Sequence, residues 1–461
     1  MKAIHDPAHA LADGLAAIRR DLQVPGTFPP EVLAAAAETA TRAPTAHRDR
    51  TAEAFVTLDP ASSTDLDQAF AIEQAGSDLI LHYAIADVAW FVDEGGPIDA
   101  EAWARGTTLY LPDGKAGLYP PVLSEGAASL LPDGPRPAVV FSVAIDAEGK
   151  ASLRGAERAV IRSRAKLGYA SVTEAELPAG FAELSRRIES AEAARGASRV
   201  DPPEQEVASC DDGRFTLAFR PRLISESRNA ALSLAANLAI ADALQAHHGG
   251  LFRVMAEPND FAVARLRQTA KALHLDWPST TKLSDYERTL DSADNAQAAM
   301  MLAVRRAGQG ASYVPYREGV VPWHSAMAAT YAHATAPLRR LADRYVVMAT
   351  LAVANGQLVP EAVVAAFERL PKVMARADAR GNQVDRAVID LAEGVMLSGR
   401  EGEVFDAVVT DEDERGVRIQ LAELPIVARV VAHKVAPGSK LRIELAAVDL
   451  AARTVSFTRL T

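Results

Sequence analysis

The stretch Thr57-Leu58-Asp59-Pro60-Ala61-Ser62-Ser63-Thr64-Asp65-Leu66-Asp67-Gln68-Ala69 places three carboxylates within nine positions, directly behind a short apolar run. Asp65 and Asp67 alternate with Leu66, so in an extended segment both side chains leave the same face. The proline and the Ser-Ser-Thr run permit a bend that returns Asp59 towards them. The spacing alone therefore leaves two interpretations of equal weight, a shared oxygen-lined site and a solvated acidic turn.

Carboxylates that are crowded away from solvent need a cation. Two of them about 4 Å apart repel by roughly 1 kcal/mol in water but by about 4 kcal/mol at an effective dielectric constant near 20. Ligands that offer only oxygen favour Mg²⁺ or Mn²⁺ over zinc. If the acids share a site, we expect Mg²⁺ there, with Mn²⁺ as the alternative metal.

The composition is that of a folded, soluble protein of several domains, with 461 residues, 49% of them apolar and 24% charged. A single cysteine, Cys210, excludes an intramolecular disulfide and a thiolate zinc cluster, which indicates a reducing compartment. The apolar runs at 79–92 and 229–244 are interrupted by charge, so no membrane segment is expected. We therefore expect a cytoplasmic, monomeric protein. Its net charge of −11 argues against indiscriminate phosphate binding, although local basic clusters can still form a basic channel.

The order of predicted elements indicates an α+β protein in three parts. Residues 1–48 hold two alanine-rich helices around a proline-flanked turn, and we weight a helical cap above a nucleic-acid-reading helix-turn-helix. Residues 49–399 begin with strand-like runs and continue with helical periodicity, which predicts a mixed sheet covered by helices. Residues 400–461 hold five short strands, the number in an OB-fold barrel.

A second motif, His333-Ala334-Thr335-Ala336-Pro337-Leu338-Arg339-Arg340, predicts an anion site. We expect Pro337 in the first turn of a helix over 337–354, with both arginines beside that turn. Free backbone N–H groups at a helix start attract negative charge, and a guanidinium matches phosphate geometry. Alone, the motif fits a salt bridge to a nearby acid equally well. Together with the acidic stretch, it indicates phosphodiester hydrolysis, which uses a metal and an arginine clamp.

These two motifs, with Ile85-Ala86-Asp87-Val88 and Ala165-Lys166-Leu167-Gly168-Tyr169, resemble the RNB catalytic domain of the ribonuclease II and ribonuclease R family in order and spacing. The resemblance covers roughly residues 50–400, and the C-terminal barrel is similar to the OB-type RNA-binding domain that closes those enzymes. It implies processive degradation of single-stranded RNA from the 3′ end, with Mg²⁺ and an activated water, to nucleoside 5′-monophosphates.

The resemblance also implies site residues. Catalytic roles fall on Asp67, Tyr169, Arg339 and Arg340, metal ligation on Asp59, Asp65, Asp67 and Gln68, and RNA contacts on Tyr110, Phe215, Asp385, Arg418 and Lys434. Core packing is an open alternative for each aromatic residue, and a surface position is an open alternative for Asp385.

Three departures from the family's pattern bear on function. Gln68 stands where the family has a fourth aspartate, so a neutral carbonyl replaces one anionic ligand. Ala231 stands near the position where the family has a base-stacking glutamate, and residues 1–48 take the place of the family's two cold-shock barrels. The alternative function is therefore a catalytically weak or inactive RNA-binding protein on the same fold. A metal phosphatase acting on small substrates is disfavoured, because it would not need an OB barrel.

Overall fold

The computed structural model describes residues 2–4, 9–198, 204–209, 215–220, 222–291, 294–308, 310–413 and 416–460. Cys210 and the Asp212-Gly213-Arg214 segment before Phe215 lie outside these residues. The helices within them are α1 (Ala10–Asp21), α2 (Pro30–Thr39), α3 (Val88–Phe91), α4 (Pro97–Arg105), α5 (Phe181–Ala194), α6 (Ile224–Ala246), α7 (Asp260–Ala272), α8 (Leu283–Glu287), α9 (Asn295–Ala307), α10 (Leu341–Ala354) and α11 (Glu361–Leu397).

The strands within the described residues form several sheets and a barrel. They are β1 (Lys2–Ile4), β2 (Arg48–Asp49), β3 (Phe55–Asp59), β4 (Gln68–Ala75), β5 (Asp78–Ala86), β6 (Leu109–Leu111), β7 (Gly114–Ala116), β8 (Arg136–Ile145), β9 (Ala151–Ile161), β10 (Ser163–Gly168), β11 (Glu204–Ser209), β12 (Phe215–Arg220), β13 (Leu251–Met255), β14 (Ala311–Pro315), β15 (Trp323–His324), β16 (Ala329–Thr330), β17 (Val404–Asp413), β18 (Gly416–Leu421), β19 (Val427–Val430), β20 (Lys440–Asp449) and β21 (Thr454–Arg459).

The main sheet has the order β10-β3-β4-β5-β8-β9-β2 in the described part of the chain. Its central pairs are antiparallel, while β10 runs parallel to β3 and β2 runs parallel to β9. Strand β3 reads Phe-Val-Thr-Leu-Asp, and its first four residues are buried, as expected of a β-branched and aromatic run in a sheet interior. The predicted mixed sheet is confirmed, and its acidic stretch starts at the last residue of β3.

Helix α6 packs on β8 and β9 and is buried on almost every side. A helix that is apolar all round belongs in a core, so its few polar positions need partners there. Three of them, Asn229, Ser233 and Asn237, are spaced by four residues and therefore share one stripe of the helix. This stripe meets the segments that carry the predicted site residues.

The N-terminal helices pack on the main domain. Helix α1 lies against α11, where Gly14 meets Leu391 so closely that a Cβ at Gly14 would stand 2.5 Å from a methyl carbon of the leucine. Helix α2 lies against α4. Arg19 of α1 also donates to both carboxylate oxygens of Asp113, at 3.0 and 2.7 Å, which ties α1 to the β6–β7 hairpin. The unit is thus held to the surface beside the hairpin that carries Tyr110.

The C-terminal strands close into a barrel of order β17-β18-β19-β21-β20, which confirms the OB-type prediction. Its interior is filled by alternate residues such as Val409, Val417, Ile419, Ile443 and Leu445. The end of α11 packs against the barrel, and among the described residues no helix is both long enough and apolar enough to cross a membrane.

The predicted start of one helix is wrong, and another helix contains a proline. Helix α10 begins at Leu341 rather than 337, because Arg340 is extended (φ −132°, ψ 122°) and pairs with Thr107 as a β-bridge. Helix α11 begins at Glu361 and contains Pro371 in its interior. An interior proline costs about 3 kcal/mol. The helix nevertheless buries Phe367 and Leu370 before the proline and Met374 after it, and this packing outweighs the local cost.

Candidate active site

The end of β3 and the end of β10 bring Asp59 and Tyr169 side by side. The two strands are parallel, with Gly168 opposite Asp59, and the N–H of Tyr169 donates to the carbonyl oxygen of Asp59 at 3.1 Å. The Tyr169 hydroxyl accepts a hydrogen bond from Nδ2 of Asn229 at 2.9 Å. Burial raises the pKa of Tyr169 to about 12, so the phenol stays protonated and can donate to an anion.

Asp67 is buried and receives a donor on each carboxylate oxygen. The N–H of Leu338 donates to Oδ1 at 2.7 Å, and Nε of Arg339 donates to Oδ2 at 3.1 Å. Burial raises the pKa of Asp67 to about 7, although Arg339 and the Leu338 N–H favour the ionised form. The predicted anion site is therefore corrected in one respect: the free N–H before α10 binds the acid of the first motif rather than standing open.

Asp59 differs from Asp67, because its Oδ2 atom is buried and has no hydrogen-bond partner among the described residues. Burial raises the pKa of Asp59 to about 6, with Asp65 acting in the same direction and Arg339 and Lys166 against it. Nearly all buried polar atoms in proteins have a partner. A cation bound at this place would be the missing partner of that carboxylate oxygen.

Asp65 is held by the β6–β7 hairpin. The Tyr110 hydroxyl donates to Oδ2 at 2.7 Å, and the Lys115 ammonium lies 2.9 Å from Oδ1. Tyr110 is 50% exposed, so its hydroxyl end is fixed while the residue stays accessible. This places the predicted base-contacting aromatic directly beside the acids.

Gln68 has partners of a different kind. Its Oε1 accepts hydrogen bonds from the hydroxyls of Tyr83 and Ser233, the latter at 2.9 Å. The two hydroxyls are themselves 2.7 Å apart. The Gln68 amide therefore links β4 to β5 and α6.

The polar stripe of α6 is a part of the site that sequence reasoning missed. Besides holding Tyr169, Asn229 donates to the carbonyl oxygen of Leu58 at 3.1 Å, next to Asp59. Asn237 accepts from the N–H of Ala334 at 3.0 Å and so fixes the start of the arginine segment. Polar residues at a spacing of four within an apolar helix were the available signal.

The two predicted arginines have different surroundings. The Arg339 side chain is 45% exposed. The backbone carbonyl oxygen of Arg339 accepts hydrogen bonds from Thr107 Oγ1 at 2.7 Å and from the Thr108 N–H at 3.0 Å. Arg340 instead donates to both oxygens of Asp343, at 3.0 and 2.8 Å. Its guanidinium is therefore engaged by that carboxylate, whereas the Arg339 side chain stays nearly half exposed.

The other predicted RNA contacts are not brought to the acids by any described contact. Phe215 packs on the apolar cluster that joins α1, α11 and the barrel, in line with the core alternative. Asp385 is exposed on α11. Arg418 lies on β18, and the N–H of Lys434, in the loop after β19, donates to Glu412 at 2.5 Å. Their RNA roles stay predictions.

The four predicted metal ligands do not form a ready-made cluster. In the part of the chain that the structure describes, no three His, Cys, Asp or Glu side chains are grouped to hold a metal ion. Asp65, Asp67 and Gln68 are bound by protein donors, and Asp59 alone keeps a buried free oxygen. These hard oxygen donors fit a cation centred on Asp59.

Residues 47–355 match the sequence profile of the RNB domain, and residues 403–460 match the C-terminal S1 domain of RNase II-type exonucleases. The first match spans more than half of the chain. The chain therefore belongs to the RNB family.

Among curated relatives, ribonuclease R of Thermotoga maritima is 27% identical over 445 residues, covering 89% of this chain and 62% of the relative. Ribonuclease R of Escherichia coli is 27% identical over 408 residues, covering 80% and 49%. The chain thus spans about half to three fifths of the length of these relatives. A structure of Mycoplasma genitalium RNase R in complex with ribose methylated single-stranded RNA is similar with a TM-score of 0.87 at 20% identity, covering 100% of this chain and 79% of that one. This structural likeness supports the fold.

Proposed function

We propose that this protein is a 3′→5′ exoribonuclease that hydrolyses single-stranded RNA processively to nucleoside 5′-monophosphates with Mg²⁺, or with Mn²⁺ in its place. The observation that carries the proposal is the convergence of Asp59, Asp67, Tyr169 and Arg339 at one point of a chain of the RNB family. The ribonuclease R relatives support RNA as the substrate.

The residues divide the work by their surroundings. Asp59, with its unpartnered oxygen, would hold the cation, together with a carboxylate of its neighbours Asp65 or Asp67. A divalent cation supplies charge neutralisation and lowers the pKa of a water molecule enough for it to attack at neutral pH. Arg339 lies half exposed beside Asp67 and can donate to the phosphodiester as charge develops on it.

Two tyrosines orient the RNA end. The Tyr169 phenol, held by Asn229, donates to a phosphate oxygen because its pKa of about 12 keeps the proton in place. The exposed Tyr110 stacks on a base, since every base offers a face to an aromatic ring. Fixing the hydroxyl of Tyr110 on Asp65 lowers the entropy that this ring loses on binding.

The barrel contributes charge to RNA binding. Arg418 lies opposite Asp411 of β17 and Arg429 of β19 in the strand register, so the three side chains form one row on the outer face. The strands concerned are the second and third of the barrel, the usual ligand face of an OB fold. Arg306 of α9 extends the row through its ion pair with Asp411, at 3.3 Å.

The alternative of an inactive RNA-binding protein rests on Gln68 alone. The Gln68 amide accepts hydrogen bonds from the hydroxyls of Tyr83 and Ser233, so a glutamine at this position leaves neither hydroxyl without an acceptor. We therefore do not favour that alternative. The cytoplasmic location and the monomeric state stay predictions.

A single assay tests the proposal. Purified protein is incubated with 5′-labelled single-stranded RNA in Mg²⁺, with and without EDTA, beside DNA of the same sequence. We expect progressive shortening from the 3′ end, release of nucleoside 5′-monophosphates, full inhibition by EDTA and intact DNA. Cleavage of circular or 3′-phosphate-blocked RNA at the same rate would make the enzyme an endonuclease, and binding without release would establish the RNA-binding alternative.

A further inference from the structure

Lys115 is a charged residue beside the acids to which neither the motifs nor the proposed function gives a role. It lies on β7 directly opposite Tyr110 of β6, so both side chains leave the same face of the hairpin. Its ammonium is 2.9 Å from Oδ1 of Asp65, while Tyr110 occupies Oδ2. Two side chains on one face of the hairpin thus bind both carboxylate oxygens of Asp65, a predicted metal ligand.

The ammonium of Lys115 has further partners that fix its position. It lies 3.3 Å from Glu125 and donates to the Thr64 hydroxyl at 3.3 Å, and that hydroxyl donates to Glu125 at 2.9 Å. The Lys115 side chain is 21% exposed and that of Asp65 is 9% exposed. A cation with three oxygen partners, two of them carboxylates, has the surroundings of a bound metal ion.

The charges of the site decide how many divalent ions it can take. Among the described residues, the acids Asp59, Asp65, Asp67 and Glu125 face the protein cations Arg339, Lys115 and Lys166. When all are ionised, one negative charge remains, and a bound phosphodiester adds another. One divalent ion balances the two. A second would leave two positive charges at close range with RNA bound and three without it, and loss of the Lys115 charge lowers each excess by one.

We infer that the site binds a single divalent cation, at Asp59, and that the ammonium of Lys115 stands at Asp65 and Glu125 in place of a second one. The inference rests on the proposed function for its meaning in catalysis. Lys115 is a positioning residue in this scheme, since it acts through Asp65. The neutral Gln68 is consistent with it, because a site with one fewer metal ion needs one fewer carboxylate.

The test counts metal ions rather than products. Binding of Mn²⁺ to the whole chain is titrated at pH 8 by the loss of the free-ion EPR signal, for wild type, Lys115→Met and Lys115→Arg. We expect one ion per chain in wild type and Lys115→Arg, and two in Lys115→Met, where Asp65 and Glu125 lose their cation. Lys271→Met, on the exposed face of α7, is the matched control and should bind one.

Each outcome decides the inference. Two ions in wild type, or one in a folded Lys115→Met, would overturn it. The double variant Lys115→Met/Asp65→Asn should return to one ion, and a second ion there would place the new site elsewhere and also overturn it. Wild type that binds one ion without cleaving RNA would reject the proposed function only, and wild type that cleaves RNA with two ions would reject this inference only.

Discussion

Nε of Arg339 donates to Oδ2 of Asp67 at 3.1 Å, across 272 positions of the chain. The neighbouring Leu338 N–H binds the other oxygen of the same carboxylate, so the turn before α10 and the acidic stretch are fastened together at a buried point. The two motifs that the sequence shows as separate are therefore one structural unit. Under the proposed function, an approaching phosphodiester would compete with Asp67 for a guanidinium that is already in place, which would limit the reorganisation needed in the reaction.

Arg339→Ala should lower turnover more than RNA affinity. One donor aimed at developing charge contributes about 100-fold or more to turnover, whereas many contacts share the binding of the strand. The measurement is single-turnover hydrolysis beside RNA binding in EDTA. Arg317→Ala, which removes an exposed ion pair with Glu368, is the control and should change neither. Equal losses in rate and affinity would make Arg339 a general backbone contact.

The Mg²⁺ requirement should rise as the pH falls. Burial raises the pKa of Asp67 to about 7 and that of Asp59 to about 6, so both carboxylates take up protons between pH 8 and pH 5, and the neutral acids no longer attract the cation. We expect half-saturating Mg²⁺ to increase by about tenfold per pH unit for each proton displaced. Asp67→Asn should abolish hydrolysis and keep RNA binding. Full activity in Asp67→Asn, or a Mg²⁺ requirement that is flat from pH 8 to pH 6, would remove these acids from the mechanism.

Two substitutions of Gln68 should separate its framework role, the hydrogen bonds that it accepts from Tyr83 and Ser233, from the effect of an added negative charge. Aspartate adds the fourth carboxylate that the family resemblance implies, and a further anionic oxygen ligand should raise activity or lower the Mg²⁺ requirement. The structure adds that the shorter side chain withdraws an acceptor from Tyr83 and Ser233, at a cost of about 1–3 kcal/mol for buried unsatisfied donors. Gln68→Glu keeps the length and adds the same charge. Urea unfolding and rate against Mg²⁺ should show Gln68→Asp less stable than Gln68→Glu, and equal stabilities would refute the framework role.

The sequence predicted the α+β class, the barrel and the acidic motif, because each depends on local pattern: strand alternation, helical period and residue chemistry. It could not predict which partners the polar groups choose. Asp65 pairs with Lys115, a residue outside every motif, since hairpin register sets that contact. Helix α10 starts later than predicted because Thr107, far away in sequence, holds Arg340 extended. Contacts between distant segments, rather than local propensity, decided these points.

Arg418→Gln should reduce the salt dependence of RNA binding. Burial lowers the pKa of Arg418, and Arg306, Arg386 and Arg429 add repulsion, so an anion would relieve a local excess of positive charge. Each phosphate contact contributes roughly 0.7 to the slope of log K against log salt for a single strand. We expect the slope to fall by about this amount, while Arg442→Gln, exposed on β20, serves as the control. An unchanged slope in Arg418→Gln would exclude this row of charges from the RNA path.

Glu393→Gln should stabilise the protein above neutral pH. Glu393 is buried near the end of α11, where its Oε1 accepts from the Val427 N–H at 2.8 Å and from Gln205 at 2.7 Å. Burial raises the pKa of Glu393 from 4.5 to about 7, so between these values the folded state binds the proton and the unfolded state does not. Stability therefore falls as the pH rises through this window, by about 3 kcal/mol in all, since one pKa unit corresponds to about 1.4 kcal/mol.

The glutamine keeps the acceptor for both donors and removes the ionisable group, so the two proteins should be equally stable near pH 4.5 and diverge until about pH 7. The free energy of unfolding in urea is measured at intervals from pH 5 to pH 8, with Glu401→Gln, at an exposed position after α11, as the control. The control should follow wild type. If Glu393→Gln shows the same change of unfolding free energy with pH as wild type, the carboxyl group of Glu393 is ionised in the folded protein. The pH dependence of stability then does not arise from the contact between Glu393 and β19.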